Sequence, residues 1–531
     1  MDLNKHNFDP LDMGNYKIEK LPKLVKSPFE QWMAKFGFPL AALAFIYLYF
    51  FADISFLNTF DPASLVGEAS KRFAELGSEG FSRINYAMMA IFAAGIILWI
   101  TEPIPNYLTS LIIILAIVLT GVTTDKVAYA QLGHPVMWLN ILSFILASML
   151  VKTRVAKRFA LWFVLRFGKN ATMVIFSFIV INIVLSAFIS ATSAKAAILL
   201  PIFMVIAAIY GATGGENRNN FGRNLVLQNL FQINIGASGF VTGSGANLLA
   251  GSLIAGAMGW GVFSFQDWFI AAFPLCVILI LIGWFVGLKV IFPLKESEKH
   301  PQIEGGMEML KEEFHKMGKM SFEEYKAIAI FVLVLALWAT DKQHGINQTA
   351  VAFMGAVAAL LPGIGIVKWN DVDIPWHLLL FSAGAYTLGA GLEATGLPAT
   401  MVDALFDSLG ITAHTPFWVL YVILTAAMIF SALIFESKTM RALIFVPIAI
   451  GVAQKFGYSV LSLAFPVALL IEHVYVLPFN SKPAALLYTT NHYSWSDTFK
   501  YGITMMIISW FMILIWGETV LNWLGYTNGL L

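Results

Sequence analysis

The sequence contains little cysteine and little charge. Cys276 is the only cysteine among 531 residues, so no disulfide can form within the chain. Charged residues make up 12% of the chain, about half of their share in an ordinary soluble domain. The formal net charge of +1 gives no support to a nucleic-acid partner, which usually requires a basic surface. Neither G-x-x-x-x-G-K-S/T nor H-E-x-x-H occurs, so we expect neither a P-loop nor a zinc enzyme, and no cofactor.

Apolar residues dominate instead, at 58% of the chain. A helix that crosses a bilayer needs about 20 mostly apolar residues. The sequence therefore predicts an all-α, polytopic membrane protein with about eleven transmembrane helices. The plain apolar runs lie at 36–53, 84–101, 106–122, 136–151, 265–291, 326–341, 348–366, 377–394 and 502–524.

Four longer apolar stretches carry polar or helix-breaking residues in their centres. Their centres read "SATSAK", "GSGAN", "ESKTMR" and "FNSKPA", within 172–210, 224–258, 417–454 and 458–490 respectively. Non-helical backbone at membrane depth is tolerated only where protein or a water-filled cavity satisfies its hydrogen bonds. We therefore predict a binding site at these breaks, with the first and third stretches as re-entrant hairpins and the other two as broken helices.

The breaks repeat along the chain. "SATSAKAAILLPI" and "SKTMRALIFVPI" begin at Ser190 and Ser437 and run into Pro201 and Pro447. Basic residues are abundant between 152 and 169 but absent from 395–416, which indicates opposite sides of the membrane. We predict two inverted repeats, with the N-terminus cytoplasmic and the C-terminus outside. The predicted boundaries are a cytoplasmic tail at 1–35, repeats at 36–292 and 326–531, and a cytoplasmic linker at 293–325.

Two S-x-T tips running into Pro-Ile, each followed by a broken helix, resemble the divalent anion:sodium symporter (DASS) family over about 36–524. The family's tips read Ser-Asn-Thr, whereas these read "SAT" and "SKT", and the breaks read "SGAN" and "SKPA". The missing Asn residues bear on sodium coupling more than on the fold. The resemblance implies a homodimeric, elevator-type secondary transporter of C4/C5 dicarboxylates (succinate, malate, fumarate or 2-oxoglutarate) in the cell membrane, and not an enzyme.

A dicarboxylate needs hydrogen-bond donors that converge from two sides, and helix N-termini favour anions. The predicted substrate-binding residues are Ser190, Ala191, Thr192, Ser244, Asn247, Ser437, Lys438, Thr439, Ser481, Lys482 and Pro483. For a symporter, the remnants of sodium sites would be Ser190, Gly243, Ser437 and Asn480. We expect no other metal site.

Several of these residues have plainer readings. The hydroxyls of Ser190 and Thr192 could bond back to their own helix, and the small residues around Gly243 could serve helix packing. Lys195 and Arg441 could snorkel to the membrane surface.

Three acidic residues also leave alternatives open. Glu436 would partner Lys438 or Arg441. Glu472, with His473, falls in the first half of the fourth helix and could form a structural pair or move protons. Glu102, beside "PIPN", is interpreted as positional.

Lys438, helped by Lys482, is a candidate built-in counter-ion for the substrate, since a covalent lysine cannot leave with it. This hypothesis predicts sodium-independent exchange of dicarboxylates. The alternatives are a sodium-coupled dicarboxylate symporter and, less favoured, a membrane-embedded enzyme or a channel.

Overall fold

The computed structural model describes Met13 and residues 28–530, except 59, 61, 63–64, 66, 213, 216–217, 304, 373, 375, 399, 402–414, 436 and 479. The described residues are 78% helix and contain no strand. This confirms the predicted all-α class. Most of the predicted tail and Glu436 lie outside the described residues. The first helix begins at Pro28, inside the predicted tail.

The helices of the first half are α1 (Pro28–Phe50), α2 (Ser55–Asn58), α3 (Gly67–Thr101), α4 (Asn106–Leu119), α5 (Asp125–Ala130), α6 (Pro135–Thr153), α7 (Val155–Phe167), α8 (Ala171–Phe188), α9 (Thr192–Ile209), α10 (Asn220–Ser238), α11 (Gly245–Ala257) and α12 (Phe265–Phe285). Those that follow are α13 (Gly306–Lys316), α14 (Phe322–Ala339), α15 (Asp341–His344), α16 (Gln348–Leu360), α17 (Trp376–Thr395), α18 (Phe417–Phe430), α19 (Lys438–Lys455), α20 (Val460–Leu469), α21 (Lys482–Tyr488), α22 (Trp495–Glu518) and α23 (Val520–Trp523).

Six helical runs among the described residues are long and apolar enough to cross a membrane. They are Gln31–Phe50, Gly67–Thr101, Asp125–Thr153, Thr192–Ile209, Phe265–Ile291 and Trp495–Trp523. Shorter apolar helices, including α4, α8, α11, α16 and α20, add to them. The structure thus confirms a polytopic, membrane-type chain, whereas the number of spans and the inverted repeat stay predictions.

Helices α8 and α9 are joined by an extended segment at 189–191, within the first polar-centred stretch. In the third stretch, α18 continues as a 3₁₀ turn at Ser431–Leu433, and α19 begins at Lys438. Ala191 and Ser437, which precede α9 and α19, both have extended backbone. Each polar tip therefore coincides with the start of a helix.

The second stretch breaks between α10 and α11, around a 3₁₀ turn at Val241–Gly243. Gly243 permits this turn, because a Cβ there would lie 2.2 Å from the carbonyl oxygen of Ala237. The break in the fourth stretch runs from Leu470 to Ser481 and is longer than predicted. Glu472 and His473 therefore lie in non-helical backbone and not in a helix, which corrects their predicted placement.

The basic segment 152–169, on which the predicted orientation rests, forms the helix α7 over most of its length. Its Arg158 pairs with Glu324 at the start of α14, with 2.5 Å between Nε and Oε1. The same guanidinium donates to the carbonyls of Met317 (3.0 Å) and Gly318 (2.9 Å). The half-buried Arg158 therefore joins the predicted linker to the first half of the chain.

Candidate functional site

The two tips and the two breaks meet at one cavity of about 610 Å³. Ten of the predicted site residues line it, namely Ser190, Ala191, Thr192, Ser244, Ser437, Lys438, Thr439, Ser481, Lys482 and Pro483. These residues come from four segments that are distant in sequence. The cavity is therefore the candidate substrate site, and the binding role of each residue stays a prediction.

Asn247 is buried and is not among the described residues of the cavity wall. Its Nδ2 donates to the carbonyls of Ala237 (3.0 Å) and Phe240 (3.1 Å). In the other break, Asn480 Oδ1 accepts a hydrogen bond from Leu477 N–H (2.6 Å), and its Nδ2 donates to the carbonyl of Ala432 (2.5 Å) in the 3₁₀ turn after α18. Unwound backbone leaves carbonyls without helical partners. Both amides therefore shape the breaks from behind the wall.

Three serines of the site already use their hydroxyls as helix caps. Ser244 accepts a hydrogen bond from Asn247 N–H (3.2 Å), and Ser437 accepts one from Met440 N–H (3.3 Å). Ser481 accepts from the N–H of Ala484 at 3.3 Å. At the first tip, Ala191 precedes α9 and provides no side-chain cap. The N-terminus of α9 thus faces the cavity without a side-chain acceptor, a favourable environment for an anion.

Lys438 connects the tips to the breaks. Its Nζ lies 2.5 Å from Oε2 of Glu472 and 3.0 Å from Oδ1 of Asn234. It also donates to Oγ1 of Thr192 at 3.4 Å. The second oxygen of Glu472 accepts a hydrogen bond from the hydroxyl of Ser244. One buried ion pair therefore joins both tips, both breaks and α10.

Sequence reasoning missed the pairing of Lys438 with Glu472 and the contact with Asn234. A signal for the latter existed, because α10 is buried yet carries Gln228, Asn229, Gln232 and Asn234. Amides at that density in an apolar helix indicate polar contacts with neighbouring segments.

Lys195 and Arg441 are completely buried, so neither snorkels to the membrane surface. Each lies six residues before the proline of its repeat, Pro201 or Pro447. Lys195 Nζ donates to Ser186 Oγ (2.7 Å) and to the carbonyl of Ile233 (3.1 Å).

Arg441 makes the corresponding contacts in the second half. Its Nε donates to Ser431 Oγ at 2.9 Å, and Nη1 donates to the carbonyl of Ile471 at 3.0 Å. Its Nη2 donates to the carbonyls of Met428 (2.5 Å) and Leu470 (3.4 Å). Among the described residues, neither Lys195 nor Arg441 has a carboxylate within salt-bridge distance. Both are buried cations held by serines and carbonyls.

Lys482 is exposed to the cavity, which Glu102 also lines. Glu102 directly follows α3 and has a left-handed conformation (φ 44°), which is uncommon for a residue other than glycine. Its Oε1 accepts a hydrogen bond from Asn106 Nδ2 at 2.7 Å. Glu102 thus belongs to the cavity wall.

Comparison with known proteins identifies the family. The family model described as the sodium:sulfate symporter transmembrane region matches residues 77–527, which is most of the chain. The chain belongs to the divalent anion:sodium symporter family. It is therefore a multi-pass membrane transporter.

Several curated proteins are similar to this DASS chain over most of their length. The sodium-dependent dicarboxylate transporter SdcS of Staphylococcus saprophyticus is 25% identical over 463 residues, which cover 82% of this chain and 87% of SdcS. SdcS of Staphylococcus aureus (strain USA300) is 25% identical over 438 residues, covering 78% and 82%. A protein of Cupriavidus necator named only as a membrane protein is 24% identical over 469 residues, covering 84% and 89%.

Within the described part of this DASS chain, no group of three or more His, Cys, Asp and Glu side chains is placed to hold a metal ion. The cavity instead presents hydroxyls, helix N-termini and ammonium groups. This arrangement suits an anion that forms several hydrogen bonds.

Proposed function

We propose that this protein exchanges small dicarboxylates across the membrane without sodium. Two curated relatives are named as sodium-dependent dicarboxylate transporters, which supports the substrate class. The cavity also has the size and the donor groups that a C4 or C5 dianion requires. Its two groups of donors, from the first and second halves, would each receive one carboxylate.

The fixed charge around the cavity is the observation that carries the exchange mechanism. Among the described residues of the two hairpins and two broken helices, Lys195, Arg441 and Lys438 are buried or nearly buried cations, and Glu472 is a buried carboxylate. Three positive charges and one negative charge leave 3 − 1 = +2. A dicarboxylate with a charge of −2 compensates this excess.

With these described groups alone, the loaded carrier is close to neutral in its centre, whereas the empty carrier keeps two positive charges with no carboxylate beside them. A charge at membrane depth costs several kcal/mol when no opposite charge lies beside it. The empty carrier would therefore cross the membrane slowly and the loaded one readily. Substrate must leave on one side and be replaced before the carrier returns, which is obligatory exchange.

We assign the counter-ion role to Lys195 and Arg441 rather than to Lys438, because Glu472 already pairs with Lys438. Lys482, which is exposed at the cavity, would attract the substrate without adding buried charge. Lys195 and Arg441 would supply the positive charge that bound sodium ions supply in a symporter. Asn480 and Gly243, two of the four predicted remnants of sodium sites, would retain only a structural role.

We further propose that the hairpins α8–α9 and α18–α19 move as one unit with the broken helices and with α12 and α22, which pack against them. The remaining helices would form a scaffold that holds a homodimer in the cell membrane, with the elevator-type motion that the family resemblance implies. The N-terminus would be cytoplasmic and the C-terminus outside.

Sodium-coupled symport is the second candidate, favoured by the names of the SdcS relatives. The buried cations would distinguish the two mechanisms, because sodium ions can leave a symporter's empty site whereas Lys195 and Arg441 stay in place.

The test uses purified protein in liposomes and labelled succinate or malate. Uptake should require internal dicarboxylate and should be unchanged when sodium is replaced by potassium or choline. Uptake into vesicles without internal dicarboxylate, driven by a sodium gradient, would establish symport and refute exchange.

A further inference from the structure

One end of α12 is docked on the connection between α14 and α16. The carboxylate of Asp341 accepts hydrogen bonds from the N–H of Phe265 (2.7 Å) and the hydroxyl of Ser264 (3.1 Å). Asp341 thereby caps a helix that follows directly after the broken helix α10–α11. This contact joins the outer part of the fold to the part that carries the site.

Two further contacts complete the same docking surface. The ring of Phe265 stacks on Trp338, with 5.6 Å between centroids and 25° between planes. The side-chain amide of Gln348 donates to the carbonyl of Phe263. Phe265 is consequently buried, with 1% of its surface exposed.

Both partners in this contact have a second copy in the chain. "LWATD", which ends at Asp341, matches "LWITE", which ends at Glu102. "FSFQD", which contains Phe265, matches "YSWSD", which contains Trp495 at the start of α22. The second copies lie in the opposite halves, so each docking partner has a counterpart in the other repeat.

The copies match in local structure as well as in sequence. Trp338 Nε1 donates to the carbonyl of Gln348 (3.0 Å), the first residue of α16, and Trp99 Nε1 donates to that of Asn106 (3.4 Å), the first residue of α4. Ser264 and Ser494 cap their helices by accepting from the N–H three residues ahead, each at 3.2 Å. Asn106 is therefore the counterpart of Gln348, and Ser494 that of Ser264.

The second pair of partners is not docked in this structure. Trp495 is 49% exposed, and its one described ring contact is with Phe499 of its own helix. Its N–H makes no hydrogen bond among the described residues. On the other side of the missing contact, Glu102 and Asn106 bond to each other at the wall of the open cavity.

We propose that Glu102 is a positioning residue that docks on the start of α22 when the cavity closes on its side. Its carboxylate then accepts from the hydroxyl of Ser494 and the N–H of Trp495. The indole of Trp495 stacks on Trp99, and Asn106 donates to the carbonyl of Tyr493. In the same movement, Asp341 releases the start of α12, and the cavity opens on the opposite side.

This inference rests on the proposed function, because an exchanger must open its site to both sides in turn. It adds the contacts that would hold the carrier in its second state, the conformation in which the cavity opens on the opposite side. A carrier built from two repeats that opens to each side in turn should have one docking contact formed and the matching one broken in each conformation. The structure has one formed and one broken contact of this kind.

Engineered disulfides test the proposal without any substrate. In a Cys276→Ser background, the pairs Glu102→Cys with Ser494→Cys and Asp341→Cys with Ser264→Cys are placed in separate proteins and oxidised in membranes. A disulfide forms only when the two Cα atoms come within about 7 Å. We expect both pairs to cross-link, each blocking exchange until a reductant is added.

The two cross-links should also exclude each other. A protein carrying all four cysteines should yield one bridge or the other in each molecule and never both. Failure of the 102–494 pair to cross-link, while the 341–264 pair does, would overturn the proposal. Since cross-linking needs no dicarboxylate, this result is readable even if the proposed substrate class is wrong.

A second variant addresses the aromatic contact. Trp495→Ala should lower the rate of exchange at least fivefold while leaving the Kd for the exchanged substrate unchanged. Trp523→Ala is the matched control, because Trp523 is 83% exposed and belongs to neither docking surface. An unchanged rate for Trp495→Ala would show that Trp495 makes no contact that matters in the second state. A loss of affinity as large as the loss of rate would indicate a general structural role.

Discussion

At the scale of single residues, the site contains buried cations with two different kinds of partner. Lys438 is paired with a carboxylate, whereas Lys195 and Arg441 donate to serine hydroxyls and backbone carbonyls and have no carboxylate beside them among the described residues. The carboxylate of Glu472 is completely buried. Removing one partner of such a pair leaves the other charge buried without compensation, which is more damaging than removing both.

Lys438→Met should therefore destabilise the protein by about 3–5 kcal/mol, since it strands the carboxylate of Glu472. The double variant Lys438→Met/Glu472→Gln should recover most of that loss. Thermal unfolding of the detergent-solubilised protein measures both effects. If the single and double variants melt at the same temperature, a stranded Glu472 carboxylate is not the cause of the loss.

The sequence predicted which polar side chains would lie at the site but not which residue each of them would pair with. Ser190, Ser437 and Lys438 were recognisable because they interrupt apolar runs at repeated positions. The partner of Lys438 was not, because Glu472 reaches it only through the unwinding of 470–481. The burial of Arg441 was equally hidden, since the carbonyls that hold it are freed only where helices end.

At the scale of helices, the breaks are maintained by residues behind the cavity wall. Asn247 and Asn480 hold the unwound backbone, and Gly243 allows a turn that no larger residue fits. The sequence indicated both breaks through Gly, Pro and Ser. It underestimated the second one, because the unwinding before Asn480 depends on Arg441, whose acceptors are distant in sequence.

Gly243→Ala tests this account of the first break. Its Cβ would lie 2.2 Å from the carbonyl oxygen of Ala237, so the backbone must shift. We expect a loss of about 1–3 kcal/mol of stability, together with a loss of substrate binding.

Gly256→Ala in α11 is the matched control, since a Cβ there meets nothing within 4 Å. It should be neutral or stabilise the helix by up to about 1 kcal/mol. Equal melting temperatures for the two variants would show that the turn at Gly243 tolerates a side chain.

At the scale of the whole molecule, the two halves are predicted to have opposite orientations. That prediction rests on the basic residues of 152–169 and on their absence from 395–416, of which 402–414 lie outside the described residues. It fixes the sides on which the linker and the C-terminus lie.

A labelling experiment in intact cells measures the orientation. In a Cys276→Ser background, a cysteine appended after Leu531 should react with a membrane-impermeant maleimide. Lys319→Cys, at an exposed position of the linker, should react only after the cells are permeabilised. The reverse pattern would invert the assignment.

The two docking surfaces differ in one respect that bears on the resting state of the carrier. Lys342, next to Asp341, forms a salt bridge with Asp267, whereas the residue next to Glu102 is Pro103, which cannot form one. The bridge is half exposed and contributes about 0–1 kcal/mol, which corresponds to a bias of up to about fivefold. The two end states should therefore be unequally populated at rest, with the conformation described here in the majority. A transporter built this way would offer its empty site mainly to one compartment.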